Sequence, residues 1–101
     1  MNKGIKYDEN KPRLYDFLYD FRKVFLELAK VYEFGTNKYG RGNWHQVANG
    51  GQRYSNAMIR HLLQDGNDPE TDINHQTHVA YNAIMRLQFL LDEQNMGDTN
   101  E

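Results

Sequence analysis

Seven side chains able to bind metals or carry protons fall between positions 61 and 78: His61, Asp65, Asp68, Glu70, Asp72, His75 and His78. At their centre is DGNDPETD, residues 65–72, an acidic turn with Gly66 and Pro69 as its breakers. If the segments on either side are helices packed antiparallel, His61 and Asp65 at the end of one come near His75 and His78 at the start of the other. Carboxylates suit Mg²⁺ or Mn²⁺, and imidazoles favour Mn²⁺, Co²⁺ or Zn²⁺. An ion held there could position phosphate oxygens and activate a water for in-line attack. The competing account is a solvated acidic loop, with Asp72 capping a helix and the histidines bonded to backbone or solvent.

Within INHQTHVAYNAI, residues 73–84, His75, His78 and Asn82 are spaced by three and four. On a helix they share one sector, opposite an aliphatic face of Ile73, Ala80, Ile84, Leu87 and Leu91. Val79, Met85, Arg86 and Phe89 lie beside the nitrogen-rich sector, a mixture that fits a pocket wall or a subunit interface better than a wholly wet face.

A second constellation is basic and aromatic. NKYGRGNWH contributes Lys38, Tyr39, Arg41, Asn43, Trp44 and His45; Arg53 and Arg60 follow, and KYDENKPR precedes it with Lys6, Tyr7, Lys11 and Arg13. Lys and Arg on a glycine-rich backbone can cradle phosphate, Tyr or Trp can stack on a base, and Asn43 can read a purine edge. No Walker pattern is present. The alternative is a loop pinned to the core by Trp44 and Tyr39 with its charges in water, preceded by a solvated arm.

The elements that must position these residues read as helices. Leu14, Phe17, Leu18, Phe21, Val24, Phe25, Leu28 and Val31 recur at intervals of three and four, predicting one long helix from Arg13 that ends at Gly35. Residues 35–51 hold five glycines and sustain no periodicity, predicting a long loop. A second helix is expected from about Gln52 to Gln64. A third is expected from about Ile73 to Glu93 after Thr71 or Asp72 as N-cap. Residues 1–12 read as a polar arm and 95–101 as a frayed tail. No strand pattern occurs, so the fold is expected to be all-α: one domain over 1–101, a small bundle of three main helices with a long Gly-rich loop between the first two.

Composition limits the function classes. At 101 residues the chain suits one modest domain. Twelve basic against fourteen acidic residues give a net charge of −2, no global attraction to long nucleic acid or a membrane surface. Without cysteine, disulfides and thiolate metal sites are excluded, and a cytoplasmic setting is expected. A mean hydropathy of −0.91 beside 13% aromatic residues suggests a small core completed by homo-oligomerisation.

Taken in order, KYDENKPRL, EFGTNKYGRGNW and RYSNAMIRHLLQDGNDPETDINHQTHVAYNAIMRLQFLL resemble a phage-associated family, the dATP/dGTP diphosphohydrolase N-terminal domain. Its members read approximately K-Y-D-x-x-K-P-R, F-G-x-x-K-Y-x-x-x-N-W, and R-H followed by G-x-D-x-E and H-x-x-H-x-x-x-N. The matching positions are Lys6, Tyr7, Asp8, Lys11 and Arg13; Lys38, Tyr39, Asn43 and Trp44; and Arg60, His61, Gly66, Asp68, Glu70, His75, His78 and Asn82. The resemblance implies a relationship to the MazG-like all-α pyrophosphohydrolases, which use Mg²⁺ or Mn²⁺ to cleave between the α- and β-phosphates. The E-x-x-E and E-x-x-D pairs of those enzymes are not found; outside the tail, Asp65 with Asp68 is the acidic pair at that spacing.

Residues and resemblance together imply a metal-dependent hydrolase that converts a purine (d)NTP to (d)NMP and pyrophosphate. Asp65, Asp68, Glu70, His75 and His78 are expected to hold Mg²⁺ or Mn²⁺, and His61, Asp65 and Glu70 to serve catalysis. Lys6, Lys11, Arg13, Lys38, Tyr39, Asn43, Trp44, Arg53, Arg60 and Asn82 are expected to bind the nucleotide. The alternative is a non-catalytic oligomer, a phage sponge that sequesters a nucleotide-derived immune signal. The absent E-x-x-E favours the alternative; the acidic turn bracketed by histidines favours the enzyme.

Overall fold

The structure is a computed structural model describing residues 4–7 and 9–98, with side chains through Gln94. The three-and-four spacing of apolar residues becomes four α-helices: α1 (Leu14–Asp20), α2 (Arg22–Tyr39), α3 (Gly50–Leu62) and α4 (His75–Asp98). A 3-10 turn, Asn43–Gln46, joins α2 to α3. Among the described residues there is no strand, only an isolated bridge between Asn67 and Asn74, so the fold is all-α as its periodicity predicts. None of these helices is long and apolar enough to cross a membrane.

The first expected helix is two. Phe21 leaves helical geometry at φ −109° and ψ 29°, and Phe17 packs against both Phe21 and Phe25 across the break, with ring centroids 5.4 and 5.5 Å apart. Nor does Gly35 stop α2. A glycine in a helix interior costs only about 1 kcal/mol relative to alanine, and α2 runs on to Gly40, whose φ of 92° suits glycine. The long loop is correspondingly shorter than expected.

α3 and α4 form an antiparallel hairpin, with His61 beside His75 and His78 at the closed end and Tyr54 stacked on Phe89 towards the open end. Gly50 permits this approach: a Cβ there would lie 2.7 Å from Phe89 Cζ. The residue capping α4 is Asn74 rather than Thr71 or Asp72, its Oδ1 accepting the Gln76 N–H at 2.7 Å. At its other end α4 continues through Asp98 instead of stopping near Glu93; residues 99–101 of the expected frayed tail lie outside the described residues.

The acidic turn is a built loop. The Asp68 N–H donates to Ile73 O, that of Asp72 to Asp68 O and that of His75 to Gly66 O, at 2.8 to 2.9 Å. Gly66 and Asp72 take positive φ.

α4 lies in the hairpin with its nitrogen-rich face inward. His75, His78 and Asn82 are buried with Met85, while Ile84, Leu87 and Leu91 of the aliphatic face are 44–54% exposed. Leu28, Ile73 and Met85 are the buried hydrophobics among the described residues. The radius of gyration is 17.5 Å, against about 13 Å for a compact domain of this length.

Candidate active site

α3 delivers His61 on its last turn and α4 delivers His75 and His78 on its first, so three imidazoles meet where the hairpin closes. Nδ1 of His61 lies 2.8 Å from Nδ1 of His75, and the His61 ring lies parallel to that of His78, centroids 4.4 Å apart. Two ring nitrogens that close either share one proton or face a common cation. The loop adds Asp68, and the ligand atoms of His61, Asp68 and His75 all lie within 4.8 Å of one another. Two imidazoles and one carboxylate suit a divalent transition metal such as Mn²⁺ better than Mg²⁺.

The electrostatics favour that role. Burial holds the His61 imidazole below its ordinary pKa, helped by His78 and opposed by Asp68. Burial lowers His78 as well, again against the pull of Asp68. In Asp68 burial pushes the other way, but hydrogen bonds from the Thr71 side chain and backbone, with His78 and His61 nearby, bring the carboxyl below its usual range. Burial thus favours the neutral imidazole in His61 and His78, and the Thr71 bonds favour the anionic carboxylate in Asp68, the protonation states that ligation requires.

Beside the cluster opens a cleft of about 740 Å³, walled by α2, the 3-10 turn, α3 and the start of α4. Small-molecule sites span roughly 300–1,000 Å³. Tyr39, Asn43, Trp44, Arg53, Arg60 and Asn82 line it, together with His61, Asp68, Glu70 and His78. At its mouth Lys38 Nζ pairs with Glu70 Oε1 at 2.5 Å, a link that raises the Lys38 pKa. Trp44 is committed on two sides, its ring stacked on His45 at 4.1 Å and edge-on to Phe89 at 5.5 Å. Tyr39 is the freer platform, 61% exposed. Asn82 spends its amide N–H on His78 O at 2.7 Å. On the far wall, burial pushes the Tyr81 hydroxyl up to about 12.

The family model for dATP/dGTP diphosphohydrolase, N-terminal, matches residues 1–99. The chain belongs to this family. A dATP/dGTP diphosphohydrolase of Salmonella phage PMBT28 is 34% identical over 99 residues, which cover 94% of this chain and 32% of the phage protein. The chain therefore spans about a third of the length of that relative. No solved structure matches this chain.

The family's second and third motifs thus supply both the histidine cluster and most of the cleft. Its first motif does not join them: Lys6, Tyr7, Lys11 and Arg13 are exposed on the N-terminal arm, with Arg13 Nε 3.9 Å from Asp16, and Asp8 lies outside the described residues. The loop also sorts the acidic residues. Asp68 turns inward, Glu70 reaches Lys38, and Asp65 and Asp72 are exposed. His78 abuts the donor set through its stack on His61 and its contact with Thr71. In the sequence Thr71 reads only as a possible helix cap, and Tyr81 does not stand out. The signal for Thr71 is its place three residues after Asp68, a spacing at which an Asp side chain folds back on the backbone. No comparable pattern marks Tyr81.

Proposed function

We propose that this chain carries the hydrolytic site of a purine deoxynucleoside triphosphate diphosphohydrolase, which releases a nucleoside monophosphate and pyrophosphate with the help of a divalent cation. The observation that carries this reading is the convergence of His61, Asp68 and His75 on one point at the edge of a cleft bearing Arg53 and Arg60. The name of the phage relative supports the substrate class.

In this reading Arg53 and Arg60 bind the phosphate chain and offset its charge. Tyr39 stacks on the base, with Asn43 at its edge. His61, Asp68 and His75 hold the cation, which when bound supplies Lewis-acid polarisation of a phosphate oxygen and eases deprotonation of water. Water adds to the α-phosphorus as the bond to the bridging oxygen breaks. The Glu70 carboxylate, at the cleft wall, accepts the proton. Lys38, set free from Glu70 as that proton arrives, stands beside the departing pyrophosphate. Asp65 takes no part.

We further propose that the protein works as a homo-oligomer. The uncovered aliphatic stripe of α4, the exposed Leu14, Phe17, Leu18 and Phe21 of α1 and its hinge, and the large radius of gyration support this.

Incubation with each dNTP and Mn²⁺ or Mg²⁺, followed by ion-exchange chromatography, tests the activity. Monophosphate and pyrophosphate in equal amounts from dATP or dGTP are expected. Recovery of intact nucleotide bound to the protein, with no turnover of any dNTP, would refute hydrolysis and leave a binding protein.

A further inference from the structure

The Thr71 hydroxyl has three hydrogen-bonding partners among the described residues. It contacts Asp68 Oδ2 at 3.0 Å, His78 Nε2 at 2.8 Å and the Ile73 N–H at 3.3 Å. A hydroxyl has one proton to give and two lone pairs to accept with. The backbone N–H of Ile73 can only donate, and the carboxylate of Asp68 can only accept. The single hydroxyl proton therefore goes to Asp68, and the remaining lone pair must take a proton from His78. Proton counting thus assigns hydrogen to Nε2 of His78, which in the neutral ring leaves Nδ1 bare.

The same residue constrains two of the three candidate metal ligands. Asp68 Oδ2 also accepts the Thr71 backbone N–H at 3.0 Å. With that oxygen doubly engaged, Oδ1 accepts no hydrogen bond among the described residues and is left for a cation. His78, held by the hydroxyl, is in turn the plane on which the His61 ring rests, 11° from parallel. A single hydroxyl thus sets the angle of the carboxylate directly and of one imidazole through a stack.

We infer that Thr71 is the positioning residue of this centre, orienting Asp68 and His61 and holding His78 as its Nε2–H tautomer. The functional part rests on the proposed metal site; the tautomer part does not.

Two measurements keep these parts apart. In metal-free, ¹⁵N-labelled protein near pH 7.5, long-range ¹H–¹⁵N correlation spectra report which His78 nitrogen carries hydrogen. A protonated Nε2 in the wild type is expected, and a protonated Nδ1 would overturn the inference without touching the proposed function. Calorimetric titration with Mn²⁺ then compares Thr71→Val, which keeps the shape, with Thr71→Ser, which keeps the hydroxyl. Affinity is expected to fall about 10- to 100-fold in T71V, as for loss of other outer-shell partners, and to return in T71S. Equal weakening in both variants, or wild-type affinity in a folded T71V, would overturn the positioning role. If wild-type protein binds no Mn²⁺, the proposed metal site fails together with the functional part, while the spectra still decide the tautomer. Should T71V not fold, the wild-type spectrum and T71S carry the test, with loss of Mn²⁺ affinity in folded T71S counting against it.

Discussion

Replacing Gly50 with alanine should destabilise the protein although the residue lies in a helix, where alanine is ordinarily the better choice. A Cβ at this position falls 2.7 Å from Phe89 Cζ and 3.1 Å from Cε2. Carbon atoms pack best at about 3.5–4.0 Å, so the methyl is roughly 1 Å too close. The ring cannot simply step aside, because Trp44 meets it at 5.5 Å and Tyr54 stacks on it at 5.9 Å. Overpacking of this kind costs about 1–3 kcal/mol, offset by about 0.5–1 kcal/mol from the lost flexibility of glycine. The net loss is centred on about 1 kcal/mol and reaches at most about 2.5 kcal/mol, and each kcal/mol corresponds to a fall in Tm of about 4–8 °C for a domain of this size. Gly51→Ala is the matched control, since nothing lies within 4 Å of its Cβ, and it should be neutral or slightly stabilising. Thermal and urea unfolding followed by circular dichroism compare the two. G50A unfolding at the same temperature as G51A would show that α3 and α4 do not meet as closely as described.

The other predictions concern charge, chemistry and assembly. His61 and His78 have folded-state pKa values below the ordinary 6.5, so below about pH 6.5 the unfolded chain binds protons that the folded one does not. Stability should therefore fall as the pH drops from 7.5 towards 5, and urea midpoints that are flat or rising on acidification would contradict the burial of these rings. Asp68→Asn, which keeps the shape but loses the charge, should abolish Mn²⁺-dependent turnover while helical content is kept; full activity would remove Asp68 from the centre. Leu87→Glu on the exposed stripe of α4 should lower the mass measured by light scattering while leaving the circular dichroism spectrum unchanged, and an unaltered mass in an oligomeric wild type would exclude this face as the contact.

How far the fold could be read from the chain differs from helix to helix. Apolar residues three and four apart in α2, α3 and α4 report helix because that period repeats over several turns. The break at Phe21 left no trace, since neither proline nor glycine marks it and the apolar pattern runs straight through. Periodicity also defines the faces of α4 without saying which turns inward. The nitrogen-rich face is the buried one because its polar groups find partners there: His75 in His61, His78 in Thr71, and Asn82 in the carbonyl one turn back. The first two of these pairings join α4 to residues outside it, beyond the reach of a helical wheel. In the same way Asp65, Asp68 and Glu70 look equivalent as a run of acids, until the bonds within the loop turn Asp68 towards the imidazoles, Glu70 towards Lys38 and Asp65 to solvent. Arg53, Arg60, Tyr39, Asn43 and Trp44 stand out in the sequence as a basic and aromatic set, and the bend through the 3-10 turn brings them to one cleft.

The central claim is that His61, Asp68 and His75 share one divalent cation beside the nucleotide cleft. Crystals of the protein grown with Mn²⁺ and a non-hydrolysable dATP analogue, measured near the manganese absorption edge, test it most directly. The account predicts one anomalous peak within ligand distance of Nδ1 of His61, Nδ1 of His75 and a carboxylate oxygen of Asp68, with the analogue's phosphates turned towards it. Manganese bound instead to Asp65 and Asp72 on the outer side of the loop, or analogue bound in the cleft with no peak at the histidines, would contradict it.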